Sequence, residues 1–427
     1  MEEENKKDSN GYEAEGSPLI GLIRERFQQA ETSKVYDEKR WLKAYRNYRG
    51  LYGPETAFRE NEKSRVFVKV TKTKVLASFG QIIEVLFSQG KFPLGVSPTS
   101  VPEDIAERAH LEKQKPQQPE QPRDPYGFNG DGMNIPPGAT VNDLMKNLNQ
   151  EYENLGFTEG PSYTGSPNIE PARMAAEKMQ KLIHDQLEES RAITILRHVF
   201  FEMVLMGTGI LKGPFTDLKE YNSFDTAEDD QGNKININVK KIKTIPSIEA
   251  VSCWDFYPDP NATNIDDCDY VIQRHSYNKQ QFQDLAEKPM FNADAVMECL
   301  EMGPNYQTRG FESSLYDREN IQTIYKNRFE VLEYWGIIDK KTADECGLMY
   351  EATGDIISVN IWICGNEVLR MVENPFTPNR IPYLICPYEL NPYQFFGVGV
   401  PENMEDSQQV MNGHARMAID NLALAGN

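Results

Sequence analysis

The 427-residue sequence has little positive charge, no closely spaced cysteine pair and no long apolar run. It carries 45 Lys and Arg against 65 Asp and Glu, which gives a formal net charge of −20. This balance excludes tight, sequence-independent DNA binding through the whole surface, which needs many cationic phosphate contacts. The length predicts two or three domains, because a domain usually contains about 100–200 residues.

Neither a zinc module nor a targeting signal is visible. The six cysteines form no CxxC pair, and scattered thiols in a chain of this size indicate a reduced, intracellular protein. The acidic first residues, Glu2 to Glu4, do not resemble the start of a secretory signal. The most apolar window, residues 198–211, contains Glu202 and is too short to span a bilayer. We therefore expect no membrane partner.

Apolar residues at helical spacing predict several helices, and a change of period predicts strands after residue 210. The longer helices are expected over about residues 18–27, 33–48, 69–87, 172–209 and 402–424. Shorter ones are suggested over residues 141–155, 279–287 and 294–302. Strand signals include the alternation of Ile235, Ile237 and Val239 after the turn at residues 229–232, and a hairpin turn at Gly365-Asn366.

These patterns predict an α+β protein with a mostly antiparallel sheet and a helix at the end of the sequence. Eleven of the 26 prolines fall in residues 98–171, which marks a flexible insertion rich in Pro, Gln and Gly. The predicted parts are a disordered acidic tail (1–16), a helical segment (17–97), the insertion (98–171), a long helix (172–209), a β-rich domain with short helices (210–401) and a final helix (402–427).

Candidate catalytic and metal-binding motifs all have a structural alternative that fits better. The glycines around Thr208 end a helix, and Lys212 is followed by Gly213, so the segment favours a turn over a phosphate-binding loop. Asp255 and Asp259 lack the spacing of a calcium loop and favour turn chemistry. The five histidines are isolated. We therefore expect no catalytic residue, metal or cofactor.

A basic, aromatic helix is the main local charge feature. Residues 17–90 carry 14 Lys and Arg against 8 Asp and Glu, a local net charge of +6. Arg40, Lys43, Arg46 and Arg49 interleave with Trp41, Tyr45, Tyr48 and Tyr52. The pattern fits either a surface that contacts phosphates or a protein partner, or a helix whose aromatic residues are core and whose charges are solvated.

Several segments, in order, resemble the portal proteins (head-to-tail connectors) of tailed bacteriophages, in particular those of short-tailed phages. The segments that carry the resemblance are WLKAYRNYRGLY at Trp41–Tyr52, SRVFVKV at Ser64–Val70, IIEVLF at Ile82–Phe87, MGTGILK at Met206–Lys212, VSCWDFYPDP at Val251–Pro260, NPF at Asn374–Phe376, IPY at Ile381–Tyr383, FGVGVPE at Phe396–Glu402, and then Gln408, Asn412, Arg416 and Asp420-Asn421.

The resemblance implies a structural, non-catalytic protein of the virion. Its subunits would form a ring, usually a dodecamer, at one capsid vertex, and double-stranded DNA would pass through the ring during packaging and ejection. The implied partners are the terminase motor, tail adaptor proteins and the major capsid protein, with assembly in the host cytoplasm. A soluble hydrolase or nucleic-acid enzyme with a dispersed site, or another head-tail adaptor, remains the alternative.

The family's regional names can then be applied to this sequence. Residues 17–97 and 210–401 would be wing material, and residues 402–427 would be a helix that enters the stem. The rest of the stem, the clip and the crown are expected to be absent from these 427 residues. Arg40, Lys43, Arg46 and Arg49 would face DNA or a neighbouring subunit.

Overall fold

A computed structural model describes most of the chain outside its proline-rich part. The described residues are 18–54, 56–60, 62–88, 92–98, 169–228, 234–288, 290–316, 327–352 and 354–426. The predicted acidic tail, almost all of the predicted insertion with its 141–155 helix, and the 229–232 turn lie outside these residues. The chain divides into two compact units, one of residues 1–93 with 186–427 and one of residues 94–185.

The described residues form ten α-helices: α1 Pro18–Arg49, α2 Val70–Phe87, α3 Ile169–Glu189, α4 Ala192–Met206, α5 Lys279–Ala286, α6 Ala293–Met302, α7 Gly310–Tyr316, α8 Lys340–Glu345, α9 Val400–Asn403 and α10 Glu405–Ala425. The helices predicted over 69–87, 279–287 and 294–302 are confirmed as α2, α5 and α6. In the smaller unit, the backbone N–H of Val96 donates to Gln180 Oε1 at 3.2 Å.

Eight strands complete the described fold: β1 Thr208–Glu228, β2 Lys234–Val251, β3 Phe256–Pro258, β4 Tyr270–Tyr277, β5 Phe329–Asp339, β6 Ile356–Cys364, β7 Glu367–Glu373 and β8 Tyr383–Pro387. They form a three-stranded sheet of order β2-β1-β8 and a five-stranded sheet of order β3-β4-β5-β6-β7. Every strand pair is antiparallel. The predicted α+β class is therefore confirmed, as is the hairpin turn at Gly365, whose φ is +57°.

One uninterrupted helix, α1, replaces the two helices predicted over residues 18–27 and 33–48. The predicted break between residues 27 and 33 is wrong. In the structure, Thr32 Oγ1 instead donates to the carbonyl of Gln28 at 2.8 Å, a bond made inside a continuing helix. The helix ends as expected at Gly50, whose φ of +79° suits glycine.

Residues 172–209 hold parts of two helices, α3 and α4, separated at Ser190-Arg191. Arg191 has a φ of +53°, which is uncommon for a residue with a side chain. Ala192, the next residue, is fully buried. No glycine or proline marks this break, and the apolar spacing of the sequence continues through it. The sequence therefore predicts one long helix here.

Both faces of the five-stranded sheet are covered. On one face, Leu19, Ile23 and Phe27 of α1 pack in a cluster with the sheet residues Ile272 and Tyr334. On the other face, Phe282 of α5 stacks on Phe329 with ring centroids 4.7 Å apart. Because β5 is enclosed from both sides, five successive residues from Val331 to Trp335 are buried, including Glu333.

Candidate functional site

The four basic residues singled out in the sequence lie in the second half of α1, and two of them contact the end of the described chain. Arg40 forms ion pairs with Asp37 at 3.2 Å and with Glu402 of α9 at 3.6 Å. It also donates to the carbonyl of Gly397 at 3.2 Å. Lys43 forms a close ion pair with Glu405, the first residue of α10. Arg40 and Lys43 thus join α1 to the start of the last helices.

Arg46 and Arg49 lie further along α1. Arg49 is exposed and donates to Tyr45 Oη at 2.7 Å, with its guanidinium 5.5 Å from the centre of the Tyr45 ring. Arg46 lines a cavity of about 290 Å³ between α1 and α10, together with Lys43 and Arg416. The four predicted residues therefore do not converge on one point.

The aromatic residues beside these cations are largely core. Trp41 is buried and packs edge-on against Trp254, at 5.3 Å between centroids, and against Phe396, at 4.9 Å. Tyr48 packs edge-on against Phe201 at 5.9 Å. The buried ring of Trp41 offers no face on which a base can stack, so the core interpretation holds for this side chain, whereas Tyr48 is only partly buried.

A row of polar side chains on α10 holds the segment before α2. Gln408, Asn412, Arg416 and Asp420 are spaced four residues apart, which places them along one side of the helix. We call these four residues the polar ladder. Three of them accept hydrogen bonds from backbone N–H groups: Gln408 from Thr71 at 3.0 Å, Asn412 from Val68 at 2.9 Å and Asp420 from Ser64 at 2.9 Å.

The inner end of the polar ladder is fully enclosed. Gln408 and Asn412 are buried, as is Thr71 on the opposite side. The Thr71 hydroxyl donates to Gln408 Oε1 at 2.8 Å, and the Gln408 amide donates to Asn412 Oδ1 at 3.0 Å and to the Val68 carbonyl. Buried polar groups persist only when they are hydrogen-bonded, so this network fixes the rotation of α10 about its own axis.

Arg416 extends the same row towards the surface. Its guanidinium pairs with Glu62 and donates to Tyr52 Oη at 2.7 Å. The hydrogen bond from Arg416 holds the pKa of the Glu62 carboxyl below its usual value. The sequence resemblance had singled out Gln408, Asn412, Arg416 and Asp420, but not their partners in residues 62–71.

The remaining sides of α10 carry apolar residues that are exposed. Val410, Met417 and Leu424 recur every seven residues and lie in line along the helix, and Leu424 is 77% exposed. Met411 and Leu422 are also exposed. The helix therefore binds its own chain through polar side chains and leaves most of its apolar surface in solvent, which is the reverse of the usual arrangement.

The glycine-rich segment that resembles a phosphate loop is a close-packed turn. A Cβ added to Gly207 would lie 2.4 Å from the carbonyl oxygen of Gly397, and Gly207 has a φ of +94°. Thr208 Oγ1 accepts a hydrogen bond from the Gly397 N–H at 2.9 Å. Lys212 is buried against Glu333. These contacts confirm the structural interpretation of the segment.

Glu333 is the centre of a buried charged group that sequence reasoning missed. It pairs with Lys212 and accepts from Trp335 Nε1 at 2.7 Å, and His275 Nε2 lies 2.7 Å from its carboxylate. Although burial acts to raise it, Lys212 and His275 lower the pKa of Glu333 to about 2. The group joins β1 to the five-stranded sheet. Charged residues are seldom buried, so the sequence carried no signal for it.

Lys34 and Glu202 form a second charged region, beneath the middle of α1. Lys34 is buried, donates to the carbonyl of Trp254 at 2.5 Å and lies 3.8 Å from the centre of the Tyr257 ring. Burial lowers its pKa to about 8. Glu202 of α4 accepts from Ser252 Oγ at 2.5 Å and from the Cys253 N–H at 3.1 Å. Burial raises its pKa to about 7.

The aspartates considered as a metal site make turn contacts instead. Asp259 Oδ1 accepts from the N–H of Asn261 at 2.9 Å, and Oδ2 accepts from the N–H of Asp269 at 3.4 Å. The Oδ1 contact thus closes a local turn, as an Asx interaction does, and the Oδ2 contact ties this turn to the residue before β4. Among the described residues, no group of three or more His, Cys, Asp or Glu side chains is placed to hold a metal ion.

Comparison with known proteins supplies the family. No curated protein matches the chain. Within the described ranges, no helix is long and apolar enough to cross a membrane. A family model described as "Phage SU10 portal protein" matches residues 214–427, which is half of the sequence and includes the polar ladder. The portal resemblance is thereby confirmed, and the chain belongs to the phage SU10 portal protein family.

Proposed function

We propose that this protein is the subunit of a ring at one vertex of a phage capsid, through which double-stranded DNA passes during packaging and ejection. Membership of a portal family supports a structural component of the virion. The observation that carries the proposal is α10, a helix of 21 residues fixed to its own chain by polar contacts, with apolar residues left exposed. Identical subunits in a ring can cover such residues by packing against one another.

The proposed ring is a dodecamer with the terminase motor, tail adaptor proteins and the major capsid protein as its partners, and it joins head to tail. It is assembled in the host cytoplasm and is retained in the virion. Its function is mechanical and electrostatic and requires no catalysis. The structural character of portal proteins supports this view.

The charge distribution supports the proposed DNA path. The net charge is +6 over residues 17–90 within a total of −20, which leaves −26 over the rest of the chain. Cationic phosphate contacts bind DNA through counterion release, and many of them would slow a moving duplex. Because Arg40 and Lys43 already pair with Glu402 and Glu405, we assign them to a subunit-internal role. Arg49 is exposed and Arg46 lines the cavity between α1 and α10, and on these positions we propose both for a DNA-facing or subunit-facing surface.

Negative-stain imaging of the purified chain tests the proposal. We expect closed rings with a central channel, and immunogold labelling of virions should place the protein at a single vertex. A strict monomer in solution, combined with labelling spread over the whole capsid, would contradict it. A nuclease assay with Mg²⁺ provides a separate control, because turnover of DNA by the pure protein would favour the enzyme alternative.

A further inference from the structure

The pairing of β1 and β2 continues far beyond the part of β1 that also pairs with β8. After the irregularity between Lys212 and Phe215, 14 consecutive residue pairs join residues 215–228 to residues 234–247. We call these two segments the ribbon. At about 3.3 Å per residue the ribbon is roughly 45 Å long. Strand β8 pairs only with residues 208–212, and no third described strand pairs with the ribbon.

A two-stranded ribbon of this length is not stable by itself in water. Isolated hairpins are marginal, because each residue is fixed in an extended conformation while little apolar surface is buried. Because no third described strand pairs with the ribbon, both of its long sides are sheet edges, which favour the addition of another strand. Two apolar side chains are already exposed along it: Tyr221 is 47% exposed and Ile242 is 66% exposed.

We infer that the ribbon of one copy packs against a second copy of this chain in the assembled ring. This inference rests on the proposed function, because it takes the neighbouring subunit as the occupant. It goes further by assigning the contact to one element. In a ring, each subunit meets the next through the same pair of unlike surfaces, so a projecting arm is used once at every interface.

Charge and size both favour a second copy. The two segments of the ribbon have opposite charge: residues 215–228 carry a net charge of −3 and residues 234–247 a net charge of +4. The acidic segment of one copy is therefore complementary to the basic segment of the next. A ribbon about 45 Å long and about 10 Å wide offers roughly 450 Å² on each face, so both faces together approach the about 800 Å² per partner of a stable interface.

Site-specific photo-crosslinking tests the contact in the full chain. The photoreactive residue p-benzoylphenylalanine is placed at position 221 or 242, and the variant is mixed with ¹⁵N-labelled unmodified chain before the rings assemble. We expect covalent dimers whose crosslinked peptides join the ribbon of one copy to a labelled peptide of another. The same probe at Met349, which is 83% exposed and lies outside the ribbon, provides the matched comparison for chance collisions.

A shortened ribbon gives a second, independent readout. Since Tyr221 and Lys241 are directly opposed, an Asn-Gly turn can replace residues 222–240 and keep that pair. We expect an unchanged thermal midpoint and a shift of ring assembly to at least about tenfold higher protein concentration. Intact rings whose ribbon crosslinks only within its own chain, only to the major capsid protein or not at all would overturn the inference. Absence of rings in the unmodified chain would instead overturn the proposed function.

Discussion

The two halves of α1 share buried apolar contacts but differ in the charged contacts that they add, although they belong to one helix. In the first half, Leu19, Ile23 and Phe27 are buried in a shared apolar cluster with the five-stranded sheet. In the second half, Arg40 and Lys43 reach α9 and α10 through ion pairs. Both halves bury apolar side chains, Trp41 in the second half among them, but only the second half adds ion pairs to α9 and α10, which salt screens.

This difference suggests that the two halves of α1 have different roles within the subunit. Burial makes the first half of α1 a rigid part of the sheet domain. The second half and the polar ladder position α10, the helix whose exposed apolar residues we assign to subunit contacts. Contacts of this kind can adjust without unfolding the core, because breaking an exposed ion pair changes stability by only about 0–1 kcal/mol. The following predictions test the contrast, from the largest expected effect to the smallest.

The largest loss of stability is expected for Phe27→Ala. Phe27 is buried and its ring lies 4.7 Å from that of Tyr257. Removing a buried phenylalanine leaves a cavity and lowers the free energy of unfolding by about 3–5 kcal/mol. Denaturant unfolding measures the change, and Val85→Ala, at an exposed position of α2, is the control. A loss below about 1 kcal/mol would show that burial does not fix this half of α1.

The pH dependence of the free energy of unfolding tests the role of Glu202, which lies beneath the middle of α1. Its pKa is raised from 4.5 to about 7 by burial, so the folded chain keeps a proton that the unfolded chain releases. The folded state thus binds more protons between about pH 4.5 and pH 7, and the free energy of unfolding falls as the pH rises through this window.

The expected fall attributable to Glu202 is roughly 1–3 kcal/mol in total. It is measured as the difference between the parent chain and Glu202→Gln, unfolded at several pH values. This difference removes the contributions of the other buried acids, such as Asp255, whose pKa burial also raises. Parallel pH profiles of the two proteins would contradict the assignment.

Gln408→Ala tests the polar ladder at its enclosed end. The change removes the acceptor of both the Thr71 N–H and the Thr71 hydroxyl, which are buried. An unsatisfied buried donor lowers stability by about 1–3 kcal/mol. Gln409→Ala is the matched control, because the neighbouring Gln409 is exposed and bonds to Glu405 of its own helix. Equal effects at positions 408 and 409 would show that the ladder does not hold α10.

The elements of this fold were more predictable than their contacts. Apolar spacing located α2, α5 and α6 and the hairpin of β6 and β7, because periodicity is a local property. It failed at Thr32, whose hydroxyl bonds to the Gln28 carbonyl within a continuing helix, and at Arg191, where a left-handed backbone interrupts one. Neither feature changes the apolar pattern.

The candidate site was predictable only in part, and for a physical reason. The basic residues of α1 were visible as a charge run, but their pairing with Glu402 and Glu405 joins positions more than 350 residues apart. The polar ladder lies 356 residues from Ser64 at Asp420 and 344 residues from Val68 at Asn412. Buried Lys34 and Glu333 were missed because each depends on partners that only the fold brings together.

The smallest effect is expected for Lys43→Gln, which removes the ion pair with Glu405. The lysine side chain is 41% exposed, so water and salt screen the pair. Stability should fall by less than about 1 kcal/mol, and the loss should vanish in about 1 M salt. A double-mutant cycle with Glu405→Gln isolates the coupling of the two charges, since each variant alone also changes the net charge. If the coupling persists at high salt or exceeds the loss at Phe27, the ion pairs of the second half fix α1 as firmly as burial does, and the contrast fails. A small, salt-sensitive coupling combined with impaired ring assembly would instead place the role of Lys43 in positioning α10.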